Sequence, residues 1–184
     1  MAEKVIVLID GGNMYRLLKQ HGIYPGKRFD YGAFVNHLLN GRQLVSKTYY
    51  IGIVRNHDGA AKSQQLVEKQ QKFLASLEAD GFDIERGKIV YDHKIREKGV
   101  DVKIAIDLVI GAAENTYDTA IVISSDTDLI PAVKYVIGRG KKIEYVGFSV
   151  QPSLGMAKEC TLSILLPQPD VDRFATRTNP GFAL

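Results

Sequence analysis

The 184-residue chain is expected to fold as an α/β protein, a three-layer α/β/α sandwich around a mainly parallel central sheet of about five strands. Three observations point to it. Two runs, Val5-Ile6-Val7-Leu8-Ile9 and Ala120-Ile121-Val122-Ile123, are continuous and apolar, as strands buried on both faces must be. Strand-like and helix-like segments alternate along the chain, and glycines close the amphipathic segments where helices end.

Residues 5–9 form the first strand, ending at Asp10-Gly11-Gly12, and a helix follows over 13–20. Gly22 and Pro25 break it, after which Tyr31, Phe34, Val35, Leu38 and Leu39 mark a second short helix. Residues 48–54 are aromatic and β-branched, a second strand. Residues 60–79 carry the apolar stripe Leu66, Val67, Phe73, Leu74 and Leu77, and Gly81 closes that helix. A third strand is expected over 82–91 with a hairpin extension.

Residues 100–113 are apolar almost all round, which predicts a helix packed on more than one side. A fourth strand over 120–124, a helix over 127–137 with Pro131 in its first turn, and a fifth strand over 143–148 complete the pattern. Beyond it, 153–159 suggests a short helix, 162–166 a short apolar segment and 171–175 a turn. A single domain over 1–176 with a loose tail over 177–184 is expected.

Hydrophobic residues make up 45% and charged residues 24%, which argues against disorder or a fibrous repeat. A net charge of +3 is compatible with a polyanionic partner. Cys160 is the only cysteine, so neither an internal disulfide nor a cysteine-based zinc site is available. The apolar run before Asp10 is too short for a secretory leader, and nothing approaches the roughly 20 apolar residues of a bilayer span. A cytoplasmic protein is expected.

Acids gather at the ends of the two most buried strands: Asp10 after the first, and Asp126 with Asp128 after the fourth. Ligands of open α/β sheets sit beyond the carboxyl ends of strands where strand order reverses. Like charges about 4 Å apart repel by roughly 4 kcal/mol at an effective dielectric near 20, so such a cluster needs a proton, a basic partner or a cation. Each acid also has a plainer reading. Asp10 suits a turn before two glycines, Asp126 and Asp128 with Ser124 and Ser125 suit a helix N-terminus, and Asp101 suits a helix cap after Gly99. Asp107, within Ile104-Ala105-Ile106-Asp107-Leu108-Val109-Ile110, is the acid least easily explained, since an isolated charge there would be desolvated. All-aspartate ligation favours Mg²⁺ or Mn²⁺ over zinc.

The blocks Ile9-Asp10-Gly11-Gly12-Asn13, Lys98-Gly99-Val100-Asp101-Val102 with Asp107, and Ile123-Ser124-Ser125-Asp126-Thr127-Asp128-Leu129 followed by Gly140-Lys141-Lys142 resemble the NYN domain of the PIN-like nuclease superfamily, in particular its LabA-like branch. The resemblance covers roughly residues 4 to 148, and Leu162-Ser163 to Asp172-Arg173-Phe174 is similar to the family's closing segment. It implies strand one beside strand four and a Mg²⁺- or Mn²⁺-dependent ribonuclease leaving a 5′-phosphate. Carried over by position, the acids are Asp10, Asp101, Asp107, Asp126 and Asp128, with Asp10, Asp101, Asp126 and Asp128 as metal ligands. Asn13 matches the polar residue after the first aspartate. A catalytically silent RNA-binding or regulatory module is the alternative that the same resemblance admits.

Single-stranded RNA would need positive charge near the acids. Arg86, Lys88, Lys94, Arg96, Lys98 and Lys103 form one basic segment, Arg139, Lys141 and Lys142 a second, and Tyr15, Tyr91 or His93 could stack on bases. Asn13, Ser124 and Ser125 are the polar candidates for substrate contact. A second copy of the chain or a regulatory protein are further candidate partners. Asp126-Thr127-Asp128 also fits the DxD pattern of glycosyltransferases, which would leave Asp10, Asp101 and Asp107 unexplained. Dehydrogenase and P-loop readings fail because their glycine signatures are missing.

Overall fold

The computed structural model describes residues 2–24, 27–54, 56, 59–92 and 94–177, with the backbone alone for 90–92 and 94–97. Nine strands and seven α-helices are formed by these residues. They are β1 (Lys4–Asp10), α1 (Gly11–Gln20), β2 (Lys27–Phe29), α2 (Tyr31–Leu39), β3 (Gln43–Ile53), α3 (Ala61–Ala79), β4 (Asp83–Asp92) and β5 (Lys94–Lys98). There follow α4 (Val100–Ala113), β6 (Thr119–Ile123), a 3₁₀ turn over Thr127–Leu129, α5 (Ile130–Gly138), β7 (Lys142–Phe148), α6 (Leu154–Glu159), β8 (Leu162–Leu166), α7 (Gln168–Asp172) and β9 (Ala175–Arg177).

Seven strands make one sheet in the order β5-β4-β3-β1-β6-β7-β8. Every pairing is parallel except the β4–β5 hairpin. The chain first builds outward from β1 through β3 to β5; α4 then carries it back to start β6 on the other side of β1. Strand order therefore reverses between β1 and β6, which leaves a crevice beyond their carboxyl ends.

The sheet is wider than the five strands expected. The apolar segment at 162–166 becomes the edge strand β8, and β4 gains β5. A separate pair, β2 with β9, joins the start of the chain to its end. Short strands such as Lys27-Arg28-Phe29 carry no periodicity to read. Arg177, expected in the tail, pairs with Lys27; residues 178–184 lie outside the described residues.

Alternation along β1 sets the layers. Val5, Val7 and Ile9 pack into the core shared with α1, α2 and α3, while Ile6 and Leu8 pack into the core under α4, α5 and α6. Successive side chains point to opposite faces, so Asp10 faces the α4 side. The same rule puts Val122 and then Ser124 on that face.

One expectation for α4 is corrected. Its row Val100, Ile104, Leu108 and Ala112 is buried, yet Val102, Ile106 and Ile110 are exposed. Among the described residues, no helix is long and apolar enough to cross a membrane.

Candidate active site

Asp10 is the last residue of β1 and the N-cap of α1. One carboxylate oxygen accepts from the Asn13 backbone N–H at 3.0 Å, the other from the Ser124 hydroxyl at 2.8 Å. Ser124 Oγ in turn accepts from the Asp126 N–H at 3.2 Å, so a three-membered chain ties the ends of β1 and β6 together. Gly11 makes this turn possible: a Cβ there would stand 2.7 Å from the Tyr50 carbonyl oxygen. Asp126 caps the 3₁₀ turn, its Oδ1 accepting from the Asp128 N–H at 2.9 Å.

Asp101 does not cap α4. Gly99, at φ +84, is the N-cap residue and makes no side-chain cap bond; it lets β5 turn sharply into the helix. Asp101 sits in the first turn, half-buried. Burial raises its pKa, and the charges of Asp126, Asp10 and Asp128 raise it further. Asp10, 6% exposed, is likewise raised by burial and by Asp126, against the lowering effect of its bonds from Asn13 and Ser124. Three acids therefore lie within one another's fields.

They line a cavity of about 230 Å³ together with Gly12, Asn13, Arg16 and Val100. Asn13 Oδ1 is buried there with no hydrogen-bond partner. Arg16, exposed and three residues on from Asn13, lies on the same side of α1. Neither a hydrogen bond nor an ion pair joins it to these acids. Sequence reading missed Arg16, although its place one turn after Asn13 was a usable signal.

The other candidates are spread more widely. Asp128 is exposed and does not line the cavity, though its charge reaches Asp101. Ser125 points away, toward the Tyr145 hydroxyl at 3.4 Å. Asp107 is not a desolvated acid: it is exposed and accepts from the Tyr50 hydroxyl at 2.7 Å. At 1.5 Å rise per residue it stands about 9 Å along α4 from Asp101. Its apolar neighbours in sequence, Ile106 and Ile110, prove to be exposed, so the expected desolvation does not arise.

Arg86 pairs with Glu78 at 3.4 Å beside a second cavity between β3 and α3. Lys103 is bonded to Glu85. Lys88 and Lys98 are exposed and face each other across the β4–β5 hairpin. The side chains of Tyr91, His93, Lys94 and Arg96 lie outside the described residues. Tyr15 is 50% exposed and packs on Tyr24, next to Arg16. Lys141 and Lys142, by contrast, stand at the start of β7 and pair with Asp118 and Glu3, at the opposite end of the sheet from the acids.

The donor set fits a hard divalent cation: Asp10 and Asp101, each with a pKa raised by burial and by the Asp126 charge, and one unsatisfied amide oxygen around a polar cavity. Among the described residues, however, no three of His, Cys, Asp or Glu stand close enough to hold a metal by themselves. Such a geometry suits an ion taken by one or two carboxylates that keeps much of its water. One or two of Asp10, Asp101 and Asp126 would hold it, with the Asn13 amide oxygen beside them.

A pH dependence follows. Raised acid pKa values favour the protonated carboxyls in the folded state. Their contribution to stability is present below the unfolded value near 3.8 and is lost as pH rises through the folded values. The metal-free protein should lose stability above that range, and a divalent cation should restore it. With a dissociation constant of about 1 mM, 10 mM Mg²⁺ or Mn²⁺ contributes roughly 1.4 kcal/mol, or about 3–6 °C in Tm. Thermal unfolding at pH 7.5 should show this shift, and lowering the pH toward 3.8 should shrink it; no shift at pH 7.5 counts against cation binding here.

A parallel-sheet α/β/α sandwich with aspartates gathered at the ends of its two central strands is a PIN-like architecture. The chain belongs to the NYN domain family, whose model matches residues 4–164. The match spans the resemblance read over residues 4 to 148 and reaches the start of the closing segment in β8. Domains of this family are generally nucleases that use divalent metals. A crystal structure of a protein of unknown function from Vibrio parahaemolyticus shares the fold, with a TM-score of 0.69 and 21% identity over 100% of this chain and 97% of the other. No curated protein matches the chain.

Proposed function

We propose that the protein is a Mg²⁺- or Mn²⁺-dependent ribonuclease of the LabA-like branch, acting in the cytoplasm on single-stranded RNA at the cavity between β1, β6 and α4. The observation that carries this reading is the convergence of Asp10, Asp101 and Asp126 on one cavity, with Asn13 Oδ1 buried and unpartnered beside them. When bound, the metal would neutralise phosphate charge and activate water for phosphodiester hydrolysis. Asp10 is held in place by Asn13 and Ser124, so its carboxylate needs no reorganisation to receive a cation. Asp128 adds negative charge at the rim.

Arg16 supplies the positive charge that RNA needs at the mouth of an acidic cavity. Tyr15 beside it offers a ring for a base, and Lys88 on the β4–β5 hairpin extends the positive surface. Metal-stimulated cleavage of varied single-stranded RNAs tests the enzyme. RNA binding without any cleavage in Mg²⁺ or Mn²⁺ would make the protein a silent RNA-binding module instead. In Ca²⁺, Arg16→Gln should weaken binding of a labelled single-stranded RNA and lower the slope of log affinity against log salt by about one. An unchanged slope would remove Arg16 from the RNA path.

A further inference from the structure

The second cavity, of about 330 Å³, opens between β3, β4 and α3, on the face of the sheet opposite the acids. Its walls are aliphatic: Ile53 from β3, and Val67, Leu74 and Ala75 from α3. Gln70 fixes the gap between them, its Oε1 accepting from the Val54 N–H and its Nε2 donating to the Gly52 carbonyl, both at 2.9 Å. That amide serves the end of β3, where Ile51, Gly52 and Ile53 run on past the last β1 partner, Tyr50. Among the described residues lining the cavity, Arg86 and Glu78 alone are charged. Arg86 Nη2 donates to Glu78 Oε1 at 3.4 Å, a single long bond between exposed side chains. A bond of this kind contributes little to stability. It leaves the other guanidinium N–H groups and Glu78 Oε2 without a partner among the described residues.

Aliphatic walls with a donor fork beside an acceptor fork suit a flat molecule whose edge carries acceptors next to donors. Guanine has that edge. Its O6 and N7 accept from one guanidinium, and its N1–H and 2-amino group donate to one carboxylate. Adenine and cytosine each carry one amino donor group, and uracil a single ring N–H, so none of them fills both forks. O6 and N1 hang from neighbouring ring positions, as Arg86 Nη2 and Glu78 Oε1 are neighbours at the cavity.

We infer that this cavity binds a guanine base between its aliphatic walls, with Arg86 donating to O6 and N7 and Glu78 accepting from N1–H and the 2-amino group. A free guanine nucleotide and a guanosine in single-stranded RNA present the same edge. The site is separate from the acids: β4 lies two strands from β1, about 10 Å, and the cavity opens on the other face. It stands whether or not the acidic cavity cuts RNA.

Isothermal titration calorimetry of the full chain with guanosine monophosphate tests it, in EDTA so that no metal links the phosphate to the acids. A dissociation constant on the order of 0.1 mM is expected for so open a cavity. Adenosine, cytidine and uridine monophosphates should bind roughly tenfold more weakly or worse. Arg86→Ala and Glu78→Gln should each cost about tenfold in affinity with little change in Tm, because the pair is exposed. Inosine monophosphate, which lacks the 2-amino group, should bind the wild type less tightly than guanosine monophosphate, and that difference should vanish in Glu78→Gln. Guanosine monophosphate bound no better than adenosine monophosphate, or bound equally by both variants and the wild type, overturns the inference. The source of the base is read in Ca²⁺ with an oligouridine carrying a single guanosine. A gain over plain oligouridine that Arg86→Ala abolishes assigns the cavity to RNA; guanosine monophosphate binding without that gain assigns it to a free nucleotide.

Discussion

Asp10→Asn is expected to lower metal-dependent RNA cleavage by on the order of 10²–10³-fold while leaving the fold intact, the size typical of losing one preorganised electrostatic group. Asparagine is as good a cap as aspartate, so α1 keeps its bond to the Asn13 N–H. The charge is lost at a site where burial and Asp126 already oppose it, and the new amide nitrogen donates to Ser124 Oγ where the carboxylate had accepted. The variant should therefore melt at the same temperature as the metal-free wild type or higher, and its Tm should respond less to Mg²⁺. Activity and metal-free stability moving in opposite directions distinguishes a metal-binding acid from a structural one. Single-turnover cleavage of a single-stranded RNA beside thermal unfolding reads both; unchanged cleavage would take Asp10 out of the chemistry.

Arg42→Ala should destabilise the fold by about 3–5 kcal/mol, because it strands a buried carboxylate. The guanidinium donates to Glu144 at 2.6 and 2.9 Å and to the carbonyls of Leu38 and Leu39 at 2.9 and 3.0 Å. It thus closes the end of α2 and ties it to β7. Glu144 is 7% exposed and would have no other strong partner. The pair sits at the end of the sheet away from the acids, so cleavage per folded molecule should hold. Arg42→Met with Glu144→Leu should recover much of the loss, since nothing charged is then left buried. Urea unfolding measures both; a change under about 1 kcal/mol for Arg42→Ala would mean that water reaches Glu144 freely.

These two effects differ in how far the sequence announces them. Asp10 closes a five-residue apolar run and precedes two glycines, so its place at a strand end is legible locally. Arg42 and Glu144 are 102 positions apart and carry no local signal of their meeting. Asp107 shows the reverse error. Its apolar neighbours suggested a buried charge, but burial belongs to a helix face in its tertiary setting, and that face of α4 is open.

By itself the sequence determined the α/β class, the two central strands and the aspartates at their ends, because continuous apolar runs and turn-forming residues are short-range signals. The family match and the parallel sheet agree with that reading. Tertiary structure alone decided which acids share a field: Asp101 joins Asp10 and Asp126, and Asp107 stays outside. It alone placed Arg16 at the cavity, sent Lys141 and Lys142 to the far end, and left half of α4 uncovered. The physical reason is one of range: hydrogen-bonding and periodic patterns are written within a few residues, whereas desolvation and charge coupling depend on which distant segments the crossover at α4 brings together.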